Sequence, residues 1–534
     1  MMRRRALLAS VAALAACSRE EAAPAPASWV GARHDRGHRL RQPGLLPAPA
    51  VQRRAGVLVL GAGVAGLSAA RALARRGVDD VQILELEDQP GGNSRGHVMA
   101  GIACPLGAHY LPLPGPEAHE VGEWLHEIGL LKSHLGRTVA DERHLCHSPQ
   151  ERLFIDGAWT EGLLPPVDPK SEAARQMQAF GRRVTELQKS GAFALPAHRG
   201  RPGAEAAALN ATTFAQWLAM QGFGDPHLRW YLDYCCRDDY GAAADTVSAL
   251  AGVHYFASRH GFHAPGDGEA VEREGLFTWP EGNGWLTQRL AAPFVKERLH
   301  TGRTVLRVAE SRHGVQVLAW DEGAGHAEAW SARAVVVALP LFIAARIVEG
   351  PSDALKQAAA VLGYAPWLVA NLQLAQPLLD RPGAPPSWDN VIYGSGGLGS
   401  VDAMHQSLNA APRATVLTAY RALPRGERAA LLSGDAAGWA RQVLDDIAPA
   451  HPDIHRRVRR VDLMRWGHAM AIPAPGVMFH PALAALRAAR GRLRFAHADL
   501  AGYSVFEESF TAGCEAVVGL ESPAKQGLLR RSII

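Results

Sequence analysis

This 534-residue chain has little that points to a metal, a nucleic acid or a membrane span. Its six cysteines are Cys17, Cys104, Cys146, Cys235, Cys236 and Cys514, and none has CxxC or Cys/His ligand spacing, which argues against structural zinc. With Cys17 set aside as described below, five remain, an odd number that leaves at least one thiol free. The adjacent Cys235-Cys236 pair reads as buried packing rather than redox chemistry. Beyond the N-terminus no run of about twenty apolar residues occurs, so no bilayer-spanning helix is expected. The net charge is only +4 and is spread along the chain, without the basic stripe that nucleic acid requires. No internal repeat stands out. A hydrophobic fraction of 48% excludes wholesale disorder, and the length allows two domains with large cores.

The ends read as processing and connecting segments. Arg3-Arg4-Arg5 forms a basic start, and Ala6–Ala16 is an apolar run too short to span a bilayer comfortably. Leu14-Ala15-Ala16-Cys17 matches a bacterial lipobox, with cleavage before Cys17 and lipid attachment to its thiol; an ordinary secretory signal with an incidental cysteine is the alternative. Arg4-Arg5-Ala6-Leu7-Leu8 resembles a twin-arginine signal, a route that exports folded proteins. The expectation is an exported chain, periplasmic and anchored through Cys17, with the outer membrane as the favoured leaflet because Ser18 rather than Asp follows. Residues 1–17 are then a signal peptide, 18–51 a tether without sustained period, and 522–534 a polar or basic tail.

The most specific pattern is Val57–Gly92. Val57–Leu60 is an apolar run suited to a buried parallel strand. Gly61, Gly63 and Gly66 supply GxGxxG: a tight turn, a close backbone approach to a pyrophosphate, and close packing of the next helix. That helix, expected over about residues 65–76, directs its N-terminal N–H groups, including those of Val64 and Ala65, at phosphates. Val81–Leu84 is the next strand, and Glu85 closes it about twenty residues downstream, where a carboxylate accepts hydrogen bonds from ribose hydroxyls. Strand, turn, helix and acid in this order predict dinucleotide binding.

Glu85-Leu86-Glu87-Asp88-Gln89-Pro90-Gly91-Gly92-Asn93 resembles the E-x-x-x-x-x-G-G-[RN] extension of the flavin amine oxidase superfamily. That superfamily includes monoamine and polyamine oxidases, L-amino-acid oxidases, protoporphyrinogen oxidases and phytoene desaturases. The resemblance implies noncovalently bound FAD rather than NAD, since Ala469–Met478 lacks the cysteine that binds flavin in some members. Further segments fit it over nearly the whole chain after residue 52. Gly107-Ala108-His109-Tyr110 resembles the turn after the strand facing the flavin. Val305 matches a position whose backbone meets the adenine. Arg494–Asp499 resembles the strand whose terminal acid, here Asp499, sits near the ribityl–pyrophosphate part. Ala512-Gly513 falls on the closing helix.

The resemblance implies an α/β fold: a Rossmann-like FAD-binding domain built from residues 52–115, 286–348 and 456–521, with an inserted α+β substrate domain from 116–285 and 349–455. Helical patterns are expected at His119–Ile128 and Ser171–Ser190. A flavin takes up a hydride equivalent and needs no metal or protein nucleophile; the protein supplies orientation and electrostatics. His468, in Arg465-Trp466-Gly467-His468-Ala469-Met470, is the candidate proton acceptor because a neutral imidazole titrates near working pH. His109, Tyr110 and Trp466 are candidates for the substrate pocket. So are Tyr503 and Phe506, which stand where amine oxidases carry part of an aromatic cage. Glu507, Glu508, Asp238 and Asp239 are candidates for steering a cation. One departure is that Pro366–Leu374, which matches the strand carrying a lysine in many amine oxidases, has none. This favours a dehydrogenase with an electron acceptor other than oxygen, or a desaturase. The expected reaction is dehydrogenation of a C–N bond in a small molecule. C–C dehydrogenation and a flavin-binding electron-relay lipoprotein are the alternatives.

Overall fold

The structure is a computed structural model describing residues 24–41, 46–259, 261–265, 275–407 and 414–520. The expected signal peptide, Cys17 and the expected tail at 522–534 lie outside these residues. The first sheet grows from the apolar run at Val57–Leu60. The strand Pro49–Leu60 lies between Val81–Leu84 and His326–Val337, parallel to both. Leu299–His300 extends the sheet beyond Val81–Leu84, and Leu493–Phe495 pairs in parallel with Val335–Val337. Gly314–Asp321 and Arg303–Ser311 complete it as an antiparallel meander. The parallel strands are buried on both faces, which is why they read as continuous apolar runs.

Two helices cover this sheet in close contact. Val64–Arg75 follows the glycine turn, and Phe506–Ala516 packs along it. Their approach depends on Gly513: a Cβ there would lie 2.1 Å from Ser68 Oγ and 2.2 Å from the Ala65 carbonyl oxygen. Ser68 Oγ donates to Phe510 O at 3.0 Å, tying the helices through their narrowest point.

The second sheet has eight strands, in the order Ala27–Trp29, Val458–Ile472, Gly363–Leu374, Thr415–Ala422, Ser400–Asp402, Asp389–Ile392, Glu151–Ile155 and Ala158–Glu161. Helices at Glu172–Gln188, Pro226–Tyr240 and Ala249–Ala257 enclose an aromatic core with Phe180 in contact with Phe214, Phe223, Phe256 and Phe262. Ser171 caps the first of these helices, accepting from Ala174 N as its side chain predicts. The other expected helix forms at His119–Glu127.

The expected segment boundaries need four corrections. The tether read at 18–51 is built into the body from residue 24: Ala27–Trp29 pairs with Val461–Leu463, a helix forms at His34–His38, and Pro49–Val51 opens the central cofactor strand. Short Ala/Pro/Arg-rich stretches carry no period, so pairing at a sheet edge was invisible. Helix His119–Glu127, assigned to the substrate domain, buries Val121, Trp124 and Leu125 in the core that holds Val57 and Phe510. Leu355 and Ala358 of the helix Asp353–Val361 likewise pack in the cofactor-sheet core. Conversely, Val458–Ile472, assigned to the cofactor domain, is a strand of the eight-stranded sheet. An apolar strand shows its period but not its partner. The five described cysteines are free and buried.

Candidate active site

The glycine turn is shaped by contacts that exclude any side chain. A Cβ on Gly66 would lie 1.9 Å from the Gly61 carbonyl oxygen, so only glycine lets the helix start this close to the strand. A Cβ on Gly92 would lie 3.2 Å from Gly63 Cα, so the second glycine pair passes directly against the first turn. Glu85 is buried behind them. Its Oε2 accepts from Ala62 N at 2.7 Å and its Oε1 from Glu87 N at 2.9 Å, and burial still pushes its pKa above the usual carboxylate range.

From this cradle a cavity of about 370 Å³ extends between the two sheets. Gly61, Gly63, Val64, Ala65, Glu85, Gly91, Gly92, Asn93, Gly107, Ala108 and Asp499 all line it. Gly66 lies behind the turn rather than on the surface. Leu86 does not line the cavity, contrary to expectation, and Val305, expected to meet the adenine through its backbone, lies outside the lining as well. Leu86 turns its carbonyl to Arg36, and Val305 is buried in the antiparallel meander at a register shift, facing the core.

Asp499 is fully buried. Burial alone would raise its pKa; His497 and the hydrogen bonds from Tyr364 Oη (2.6 Å) and Leu341 N (2.8 Å) outweigh this and hold it below the usual range. Both bonds fall on Oδ2, while Oδ1 accepts no hydrogen bond and lies 3.1 Å from His497 Nδ1. A buried carboxylate oxygen left open beside a cavity suits a ligand hydroxyl. Together with the glycine cradle, this is the donor and acceptor set that a flavin dinucleotide requires.

On the substrate side, His109, Tyr110, Trp466, His468 and Phe506 line the cavity, and Tyr503 does not. Tyr503 is 1% exposed and donates to Glu508 Oε1 at 2.7 Å; that same oxygen accepts from Ala197 N. The hydroxyl finds its partner in the interior, so Ser504 and Val505 take the cavity face instead. Glu508 is therefore a structural acceptor, not a steering charge. His109 stacks on Tyr420 at 4.3 Å, and burial pushes its imidazole down to about 3. His468 stacks on Phe342 at 4.5 Å. Burial, then Arg428, Arg41 and His38, push it down to about 4, so the ring is neutral at working pH and holds an accepted proton poorly.

Asp238, Asp239 and Glu507 converge on the cavity with Arg259. Asp239 pairs with Arg259 at 3.4 Å. Burial raises both Asp238 and Glu507 to about 7, with Asp239 adding to the shift at Asp238. Trp367, Val369 and Tyr420 complete this end. Sequence reading missed all three because they face inward from strands buried on both sides, where alternation gives no signal. No lysine is among the described residues that line the cavity.

The description flavin containing amine oxidoreductase matches residues 64–520, and the chain belongs to that family. It is an FAD-dependent oxidoreductase with the mixed α/β fold of that family. No curated protein matches the chain. Among solved structures it is similar to putrescine oxidase bound to putrescine, with 18% identity, a TM-score of 0.64, and 88% of this chain and 99% of that one covered. Cyclohexylamine oxidase from Brevibacterium oxydans gives 18% identity and a TM-score of 0.64 over 87% and 98%. A fatty acid isomerase from P. acnes that produces CLA gives 14% and 0.57 over 87% and 98%. At these identities the likeness is one of fold.

Proposed function

We propose that this chain dehydrogenates the C–N bond of a cationic amine with noncovalently held FAD. The observation that carries the reading is the meeting of Asp238, Asp239 and Glu507, with Arg259, among the described residues that line one cavity. Carboxyls gathered on a buried cavity, two of them held near 7, gain by ionising against a protonated amine. When bound, FAD accepts the hydride equivalent released from the carbon beside nitrogen.

Gly61, Gly63, Gly91 and Gly92 would hold the phosphate-bearing part of FAD by backbone approach, Glu85 the ribose and Asp499 the chain between. Asp238, with its proton affinity near neutrality, binds the ammonium as a carboxylate and can take its proton, leaving a neutral amine ready for oxidation. His109, Tyr420 and Trp367 exclude water with a neutral aromatic wall. His468 contributes a neutral ring. Pro366–Leu374, the stretch matched to the strand that carries the lysine associated with oxygen reaction in relatives, has no lysine, which favours an electron acceptor other than oxygen.

The test is the visible spectrum of the purified protein before and after anaerobic addition of amines, headed by the two that the structural neighbours name. Bleaching of a yellow spectrum by a cationic amine, followed by slow recovery in air and fast recovery with a dye or quinone, is the expected result. A yellow protein that no amine bleaches favours C–C dehydrogenation or electron relay. The proposal extends to localisation: export and anchoring through a lipid on Cys17. Among the described residues no helix is long and apolar enough to cross a membrane. Cys17→Ser is expected to move the protein from the membrane to the soluble fraction.

A further inference from the structure

The segment 24–41 crosses from one wall of the cofactor cleft to the other. At its start it is the edge strand of the substrate sheet. Ala27–Trp29 runs parallel to Val461–Leu463, Val30 N donates to Leu463 O at 2.8 Å, and the Arg465 guanidinium lies over the Trp29 ring at 4.5 Å. The strand it joins continues into Trp466, His468 and Ala469, which line the cavity.

The segment then turns at Gly31 and lands on the loop after Glu85. Arg33 N donates to both carboxylate oxygens of Glu87 at 3.1 Å. Arg36 Nη1 donates to Leu86 O at 2.8 Å, and its Nη2 pairs with Asp88 at 2.7 Å. Glu87 passes the contact inward: it pairs with Arg95 at 3.4 Å, and Arg95 Nε donates to Gly92 O at 3.2 Å. Gly92 is the residue that lies against Gly63. One short segment is thus bonded to the strand forming one wall of the cavity and to the loop that carries the ribose acid and the second glycine pair.

We propose that residues 24–41 clasp the cofactor cleft and that Arg36 is the positioning residue through which the clasp fixes the Glu85–Asp88 loop. The inference rests on the flavin site described above. A bound dinucleotide held between the glycine turn and Glu85 can leave only if that loop moves away from the turn. The clasp ties the loop to the opposite wall, so release of Arg36 must precede release of the cofactor. The side chain is suited to this: it is only 12% exposed although its partner Asp88 is 59% exposed, and its planar fork serves the carbonyl and the carboxylate at once.

The experiment uses the full chain loaded with FAD, with cofactor loss followed by the rise in flavin fluorescence on dilution. Arg36→Ala is expected to release FAD about tenfold faster while the flavin-free protein melts within about 2 °C of the parent, since a partly exposed ion pair adds little to folding. Arg36→Lys keeps the charge opposite Asp88 without the fork and is expected to fall between. Trp29→Ala, at the other end of the clasp, should speed release similarly, and the double variant should add little to either alone. Release from Arg36→Ala at the parental rate overturns the clasp. So does faster release matched by an equal loss of stability in the flavin-free protein. A parent chain that takes up no FAD overturns the cofactor reading and the clasp together, whereas a parent that holds FAD as firmly as Arg36→Ala does overturns the clasp alone.

Discussion

The two sides of the cavity are built by different means. Around the cofactor, backbone meets backbone: Gly66 against Gly61, Gly92 against Gly63, Gly513 against Ser68 and Ala65. Side chains matter there mainly by being absent. Around the substrate, side chains converge from distant parts of the chain: Asp238 and Asp239 from one helix, Glu507 from another, Trp367 and Tyr420 from two strands. The cofactor side tolerates almost no change of shape, while the substrate side can be altered in charge without altering the fold. Specificity can therefore be changed on a frame that stays fixed.

That contrast can be broken most forcefully at the glycines. Gly66→Ala and Gly513→Ala are each expected to cost about 3 kcal/mol or more by overpacking and to abolish flavin uptake; flavin content and melting temperature check this. If either variant held flavin with normal stability, the backbone account would be wrong.

On the other side, Asp238→Asn or Glu507→Gln is expected to keep the flavin and weaken a cationic amine about thirtyfold, roughly 2 kcal/mol, read as the amine concentration that half-bleaches the flavin. With both carboxyls near 7, the parent should bind the cation more tightly as pH rises from 6 to 8, because ionisation completes over that range. The dependence should flatten in the Asp238→Asn/Glu507→Gln double variant.

A smaller effect has the opposite direction. A carboxyl whose folded pKa is raised costs stability as pH climbs from its unfolded value near 4 through about 7. Asp238→Asn should therefore melt higher than the parent at pH 8 and show no gain near pH 4. The smallest effect concerns His468. A ring held near 4 is a weak proton acceptor, so His468→Ala is expected to slow flavin reduction by less than about tenfold. A loss of a hundredfold or more in rapid-mixing experiments would return it to the role of base.

The same contrast explains what the sequence revealed. Gly61, Gly63, Gly66, Glu85 and Asp499 were legible because a backbone constraint demands one residue type at one spacing. The central strand and its helix followed from an apolar run and the turn after it. Tyr503 was misplaced because nothing local distinguishes a tyrosine facing a cavity from one whose hydroxyl finds Glu508 in the interior. Leu86 and Val305 were assigned by position in a motif, and neither is among the residues that line the cavity. Trp367 and Tyr420 lie on the strands Gly363–Leu374 and Thr415–Ala422, inside runs of consecutive buried residues, so no pattern marks which ones meet a ligand. The arm at 24–41 was read as a tether because three residues of edge strand carry no period.

The pairing of Ala27–Trp29 with Val461–Leu463 also sets an order in time. Ala32 N and its partner, Met464 Sδ, stand 432 positions apart. During synthesis the first of these segments waits, unpartnered, while nearly the whole body is made, because its neighbour is among the last strands to be completed. The nascent protein therefore passes through a stage in which both sheets have most of their strands and the cleft between them is still unstrapped.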